Sequence, residues 1–196
     1  MKHDIILTTL NGRYSHSSIG LRYLYANLKE LQKQASIKEY VINERMQDIA
    51  EKILSFEPKI VGIGVYIWNA SDVYELIEII KKVSPETIIV LGGPEVSYTP
   101  FRVDLSSADY IIQGEGENQF YNLCKDILEK KDIDKKIFPP EILDLDSIEL
   151  PYKYYNDNDV ENRYIYVEAS RGCPFSCEFC LSSIDKQVRN FDIDEL

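Results

Sequence analysis

The chain has 196 residues, of which 44% are hydrophobic and 28% charged, and its formal net charge is -11. Such a composition is ordinary for a globular protein with one well-buried domain and a remainder, or with two small domains. The negative charge opposes binding to a phosphate backbone, so we expect no nucleic-acid partner. The sequence shows neither a run of 18 apolar residues nor a signal-peptide pattern, so we expect no membrane contact and a cytoplasmic location.

The first 130 residues alternate short β-branched runs with longer amphipathic runs. The predicted strands are "DIILTTL" (4–10), "SIKEYVI" (36–42), "KIVGIGVYI" (59–67), "TIIVLGG" (87–93) and "ADYIIQG" (108–114). Apolar residues at helical spacing follow each of these strands except the fourth. The helix within 69–83 has Ser71 as its predicted N-cap, and the segment 117–131 forms the closing helix.

Strands that alternate with helices favour right-handed crossovers and a parallel sheet. The fold class is therefore α/β, with a flavodoxin-like (Rossmann-like) five-stranded parallel sheet in the order 2-1-3-4-5 and helices on both faces. In such sheets ligands bind beyond the carboxyl ends of the strands. That rule selects four loops, at 11–18, 66–71, 92–97 and 113–117.

The sequence pattern divides the chain into three segments. Residues 1–131 form the α/β domain, and residues 132–162 form an acidic linker with several Tyr and Pro residues. This linker is expected to be extended over a surface, with Tyr152, Tyr154 and Tyr155 as aromatic anchors. In residues 163–196, "RYIYVEAS" alternates as a strand and leads into a cysteine-rich loop.

Three of the four cysteines lie close together, in the spacing C-x3-C-x2-C. Cys173, Cys177 and Cys180 form this cluster, which indicates a metal site and not an extracellular disulfide framework. A structural zinc site usually needs a fourth ligand. The histidines are His3 and His16, and neither belongs to the cluster. Three thiolates alone fit an iron-sulfur cluster with one open iron, and zinc is the alternative.

The stretch "EASRGCPFSCEFCLSS" closely resembles the motif of the radical S-adenosylmethionine (SAM) superfamily, C-x3-C-x-aromatic-C. The resemblance implies a 4Fe-4S cluster on Cys173, Cys177 and Cys180, with SAM on the open iron and Phe179 near its adenine. It also implies an electron donor for the cluster and a 5'-deoxyadenosyl radical that attacks a substrate the sequence does not identify. Only the first strand and the cluster loop of the family's partial barrel are present, so we expect the chain alone to be an inactive fragment.

An α/β domain ahead of this motif resembles the cobalamin-binding radical SAM enzymes. The loops "LNGRYSHSSIGLRYL", "VLGGPEVS" and "IIQGEGENQF" carry the likeness. The cobalamin contacts implied by it are Asn11, Gly12, Ser17, Ser18, Tyr66, Trp68, Asn69, Gly92, Gly93, Pro94, Glu95, Gly114, Glu115, Gly116 and Glu117. Glycines let the backbone approach a large flat ligand, and the helix start behind Ser17 and Ser18 could accept a phosphate.

His16 is not expected to bind cobalt. Proteins that use a histidine for this purpose carry D-x-H-x-x-G, whereas here Tyr14 stands two residues before His16 and Gly20 stands four after it. We therefore predict a His-off cobalamin, whose lower face is left to Tyr66, Trp68 and Asn69 or to nothing. A weak lower ligand favours methyl cycling on cobalamin, so the resemblance implies radical methyl transfer to an unactivated carbon.

Two alternatives remain open at this point. In the first, the protein is a radical SAM enzyme whose N-terminal domain has the cobalamin-binding fold but serves only to dock substrate. In the second, it is a non-enzymatic flavodoxin-like module with a zinc-binding tail.

Overall fold

A computed structural model describes residues 2–180 and 185–194. The strands are β1 (Ile5–Asn11), β2 (Ala35–Val41), β3 (Ile60–Gly64), β4 (Ile88–Gly92), β5 (Tyr110–Ile112), β6 (Ile137–Phe138), β7 (Ser170–Arg171) and β8 (Arg189–Asn190). The α-helices are α1 (Ile19–Ala26), α2 (Met46–Leu54), α3 (Ala70–Val83), α4 (Glu117–Leu128) and α5 (Asp157–Asn162).

Within these residues, six parallel strands form one sheet in the order β2-β1-β3-β4-β5-β6. The first five strands confirm the predicted order. The sixth, Ile137–Phe138, pairs with Ile111 and Ile112 inside the segment predicted as linker. Two residues followed by Pro139 and Pro140 are too few to show a periodicity, so no sequence pattern predicts this strand.

Helices cover both faces of the sheet, as predicted. Strand β1 is buried along its whole length, and its side chains alternate between two apolar clusters. Ile6 packs with α2 and α3, whereas Ile5 and Leu7 pack with α1 and α4. Each fully buried aliphatic side chain of this kind contributes about 1.5–3 kcal/mol. Among the described residues, no helix combines the length and the apolar character needed to cross a bilayer.

Helix α3 begins two residues earlier than its predicted cap implies. Asn69, and not Ser71, occupies the N-cap position. The Asn69 side chain turns back toward the sheet, and its Oδ1 accepts a hydrogen bond of 2.8 Å from the backbone N–H of Tyr66. The prediction for Ser71 is therefore wrong, because the turn after β3 needs the longer amide side chain.

Within the described residues, the predicted strand at 163–170 contributes only Ser170 to a strand, together with an isolated bridge from Tyr164 to His16. Tyrosine hydroxyls from the linker segment provide four of the hydrogen bonds of its backbone. The Tyr155 hydroxyl bonds both the N–H and the C=O of Tyr166, and the Tyr152 hydroxyl does the same for Glu168. These contacts confirm Tyr152 and Tyr155 as anchors, and Tyr154 adds a bond from the Gln32 amide to its hydroxyl.

The cysteine loop is the connection of a short antiparallel hairpin. Ser170 and Arg171 of β7 pair with Asn190 and Arg189 of β8. The three clustered cysteines lie between these two strands. Residues 181–184 and 195–196, which belong to the same predicted segment, lie outside the described residues.

Candidate functional site

A cavity of about 350 Å³ opens at the carboxyl ends of β3, β4 and β5, where α1 and α4 meet the sheet. Its apolar wall is formed by Leu21, Leu24, Val90, Ile112 and Phe120. The predicted contact residues that also line it are Tyr66, Gly92, Gly93, Pro94, Gly114, Glu115, Gly116 and Glu117. Three of the four loops selected by the sheet-end rule thus reach one cavity, and contact of these residues with a ligand stays a prediction.

One end of the cavity is charged. Arg171 Nη2 donates to Glu117 Oε1 at 2.6 Å, and Arg171 Nε donates to Glu168 Oε2 at 3.1 Å. Arg171 Nη1 lies 3.2 Å from Glu115 Oε2, in an ion pair that lacks hydrogen-bond geometry. Burial alone would lower the pKa of Arg171, but the charge on Glu117 outweighs this effect and raises it.

Glu115 joins this end of the cavity to the β7–β8 hairpin. Its Oε1 accepts a hydrogen bond from Arg189, and its Oε2 accepts one from the N–H of Leu143. Burial would raise the pKa of Glu115, but these hydrogen bonds and the charges of Arg189 and Arg171 hold it below its ordinary value. Glu115 is therefore an ionised anchor for two arginines.

Two glycines at the cavity mouth are required by the backbone. Gly93 has φ of +105°, and a Cβ there would lie 2.6 Å from the carbonyl oxygen of Val65. Gly114 has φ of +72°, and its Cβ would lie 2.9 Å from Pro140 Cβ. Both positions are conformations that glycine adopts readily and other residues rarely do. They bring the main chain to the mouth of the cavity without side chains.

The predicted contacts in the loop after β3 differ in their surroundings. Asn69 is fully buried, and its Nδ2 donates to the carbonyls of Leu10 at 3.1 Å and Gly64 at 3.2 Å. It therefore holds the turn and does not face the cavity. Trp68 stacks on Tyr66 with ring centroids 4.6 Å apart, and about half of its surface is exposed. Burial raises the pKa of Tyr66, so its hydroxyl remains a hydrogen-bond donor.

Groups of the chain itself already bond the predicted phosphate contacts of the first loop. Ser18 Oγ accepts from Leu21 N as the cap of α1, and Ser17 Oγ donates to Tyr164 O at 2.7 Å. The backbone N–H of Ser18 donates to the buried carboxylate of Glu39, which thus occupies the anion position at the helix start. A ligand phosphate at this helix start stays a prediction, and the carboxylate from β2 would oppose it by its charge.

The remaining predicted contacts also lie away from the cavity. Asn11 is buried, and its Nδ2 donates to His16 O at 3.0 Å and to Glu39 Oε1 at 3.1 Å. Glu95 pairs with Arg102 at 3.0 Å. Gly12 has no heavy atom within 4 Å of its potential Cβ and does not line the cavity either.

His16 belongs to an aromatic contact with the extended segment at 164–166. Its Nδ1 is hydrogen-bonded to the Tyr166 hydroxyl, and its ring stacks on that of Tyr166 with centroids 6.2 Å apart. A backbone bridge joins His16 to Tyr164. His16 is thus part of the packing between the first loop and this segment.

The cysteine loop is exposed, with Phe179 at its surface. Phe179 is 94% exposed, and Cys177 is exposed as well. The backbone N–H of Cys173 donates to Asp185 O at 2.8 Å, and that of Cys180 donates to Cys177 O at 3.2 Å. In residues 2–180 and 185–194, no three His, Cys, Asp or Glu side chains are grouped as metal ligands. The cysteines therefore offer a set of three thiol donors within eight residues of sequence.

Comparison with known proteins gives the class of this domain. The B12 binding domain family model matches residues 5–124, well over half of the sequence, and the chain belongs to that family. An uncharacterized methyltransferase of Pyrococcus horikoshii is 30% identical over 201 residues, covering 91% of this chain and 44% of that protein. The cobalamin-dependent radical SAM methyltransferase TokK of Streptomyces tokunonensis is 26% identical, covering 77% of this chain and 26% of that enzyme.

A solved structure shows the same fold. The apo form of OxsB, a cobalamin-dependent S-adenosylmethionine radical enzyme, superposes with a TM-score of 0.66 over 91% of this chain and 28% of that chain, at 18% identity. The predicted α/β fold and its likeness to cobalamin-binding domains are thus confirmed. The chain spans less than half the length of each of these three proteins.

Proposed function

We propose that this chain binds cobalamin in the cavity beyond β3, β4 and β5, and that it forms part of a radical SAM enzyme that transfers a methyl group to carbon. The observation that carries the proposal is the position of the cavity. It lies at the carboxyl ends of the strands of a B12 binding domain and is lined by the glycine loops that follow β4 and β5. The methyltransferase names of the relatives support the reaction class.

The residues of the cavity are compatible with the nucleotide tail of cobalamin. The wall is apolar, the mouth carries four glycines within 92–116, and the volume of about 350 Å³ lies in the range of small-ligand sites. The stacked Tyr66 and Trp68 lie next to this mouth and offer aromatic surface without a nitrogen ligand for cobalt. When bound, cobalamin would supply the methyl group, and a cysteine-held cluster with SAM and an electron donor would supply the radical.

The chain's own residues position and shield these groups. The main chain at Gly93 and Gly114 would let a ligand come close, and the apolar wall would cover its nonpolar surface. Metal binding often orders its own ligands, so an exposed loop with three thiols is compatible with a cluster that forms on loading.

Hydroxocobalamin binding to the purified chain tests the proposal. We expect saturable binding, and we expect Leu24→Trp to weaken it by at least about tenfold because the indole would fill the cavity. Leu54→Trp is the matched control, since Leu54 is a half-buried leucine that packs against the opposite face of the sheet. Equal binding by both variants, or no binding by the wild-type chain, would contradict a cobalamin site in this cavity.

His16→Ala is expected to leave the EPR spectrum of bound cob(II)alamin unchanged. The Nδ1 of His16 is already bonded to Tyr166, and its ring is stacked there. Nitrogen superhyperfine splitting that is present in the wild-type chain and absent from the variant would show that His16 binds cobalt.

Replacing Cys173, Cys177 or Cys180 with alanine is expected to reduce iron and sulfide to background after anaerobic reconstitution. Cys124→Ala should retain both, because Cys124 is buried in α4 and burial raises its pKa, which keeps the thiol protonated. Metal analysis measures the outcome. Zinc without iron and sulfide in the wild-type chain would instead favour a zinc-binding loop.

A further inference from the structure

We propose that Arg171 is a positioning residue that couples occupancy of the cavity to the loop bearing the three cysteines. This inference rests on the proposed binding of cobalamin in the cavity. Arg171 connects the two regions. Its side chain lines the cavity, and it stands two residues before Cys173 in the sequence.

The guanidinium of Arg171 is fixed from every side. It is held by the carboxylates of Glu117, Glu168 and Glu115. It also lies over the rings of Tyr23, at 4.9 Å, and Phe191, at 5.6 Å. Only 11% of the side chain is exposed. Charge-assisted contacts of a planar guanidinium with several carboxylates define its orientation as well as its position.

The backbone between Arg171 and the first cysteine is conformationally restricted. Gly172 has φ of +82°, and a Cβ at this residue would lie 2.3 Å from the carbonyl oxygen of Gln187. The next residue, Cys173, donates its N–H across the loop to Asp185. Arg189, which is paired with Arg171 in the hairpin, is bound to Glu115 too. The root of the cysteine loop is therefore tied to the cavity on both strands.

Glu117 provides the link to a ligand. Its Oε1 accepts a hydrogen bond from Arg171 Nη2, while its Oε2 is buried and has no hydrogen-bond partner among the described residues. The side chain is only 6% exposed and lines the cavity. A buried carboxylate oxygen without a donor is costly, so a hydroxyl or amide N–H of the nucleotide tail would be favoured at this atom. Ligand and Arg171 would then share one carboxylate.

Amide hydrogen exchange of the 196-residue chain, with and without saturating hydroxocobalamin, tests this link. In the wild-type chain, we expect cobalamin to slow exchange by about tenfold both at 110–117 and at 172–180. Each variant is measured at a hydroxocobalamin concentration that its own titration shows to be saturating. Under these conditions Arg171→Met should be protected at 110–117 but not at 172–180, and Arg171→Lys should restore only part of the loop protection. Lys153→Met removes an exposed cation and is the control, with full protection expected in both regions.

The possible outcomes separate the two proposals. Protection at 110–117 without protection at 172–180 in the wild-type chain would overturn the coupling and leave the cobalamin site standing. Equal loop protection in Arg171→Met would do the same. No binding to the wild-type chain would overturn both. If Arg171→Met does not fold, Arg171→Lys decides the matter once it is saturated with hydroxocobalamin, since loop protection equal to that of the wild-type chain would overturn the coupling.

Discussion

Replacing Glu39 with glutamine is expected to lower the free energy of unfolding by about 3–5 kcal/mol. Glu39 Oε2 lies 3.0 Å from Arg22 Nη2 and 3.0 Å from Arg163 Nη1, and Arg22 also lies 2.7 Å from Asp159 Oδ2. These side chains are between 3% and 11% exposed. The variant would leave two buried guanidinium groups with a single carboxylate, and the new amide N–H groups would face cationic donors.

Denaturant unfolding of the chain measures this loss, and Glu149→Gln is the control. Glu149 forms an ion pair with Lys153 in which both side chains are more than half exposed. Exposed pairs of this kind usually contribute about 0–1 kcal/mol. Similar losses in the two variants would show that burial does not set the energy of the Glu39 cluster.

A second substitution shows whether the stability lost in Glu39→Gln comes from excess positive charge or from lost packing. The double variant Glu39→Gln/Arg163→Met should recover part of the stability, because it also removes one of the two cations that would share the single remaining carboxylate, Asp159. In the wild-type chain, burial alone would lower the pKa of Arg22, but the charges on Glu39 and Asp159 outweigh burial and raise it, so the cluster contains a charged guanidinium.

This buried cluster explains why the predicted linker is not merely draped over a surface. Asp159 lies in α5, and it binds Arg22 of α1 across 137 residues of sequence. Arg22 also lies under the ring of Tyr155, 4.5 Å from its centroid. The residues from 152 to 163 are therefore fastened to the α/β domain by charge as well as by the tyrosine anchors.

Local patterns predicted the first five strands and the helices between them, because each strand is a β-branched run and each helix buries one apolar stripe. They overestimated the strand at 163–170, of which only Ser170 belongs to a strand among the described residues. Several hydrogen bonds of that segment come from Tyr152 and Tyr155, and such side-chain partners leave no periodic signal. The N-cap of α3 was misplaced for a similar reason, since the tertiary contacts of Asn69 determine where the helix begins.

The candidate site was predictable at the loops that follow β3, β4 and β5. Sheet-end topology places Gly93, Gly114 and Glu117 together without knowledge of their contacts. The ion pairs of Arg171 with Glu117, Glu168 and Glu115 were not predicted. Its position two residues before Cys173 is the one sequence feature that connects it with the cysteine motif. The pairing of Glu39 with Arg22 and Arg163 was inaccessible, because these residues meet only when three distant segments fold together.

Replacing Gly93 with alanine is expected to lower the free energy of unfolding by about 1–3 kcal/mol and to weaken hydroxocobalamin binding by about tenfold. Gly93 has φ of 105° and ψ of 175°, a region that residues with a Cβ avoid. The added Cβ would lie 2.6 Å from Val65 O and 3.1 Å from Val65 N. Val65 N–H bonds Gly92 O, and Val65 O accepts from Glu95 N, so the strand end has little freedom to move away.

Gly92→Ala is the matched control for this prediction, because the two glycines are adjacent and both line the cavity. A Cβ at Gly92 meets Ile112 O at 3.7 Å, which is ordinary van der Waals contact, so its stability should change by less than about 1 kcal/mol. Thermal unfolding and a hydroxocobalamin titration of both variants measure the difference. If the alanine at position 93 is tolerated as well as that at position 92, the turn after β4 can relax, and the main chain at Gly93 does not define the cavity mouth.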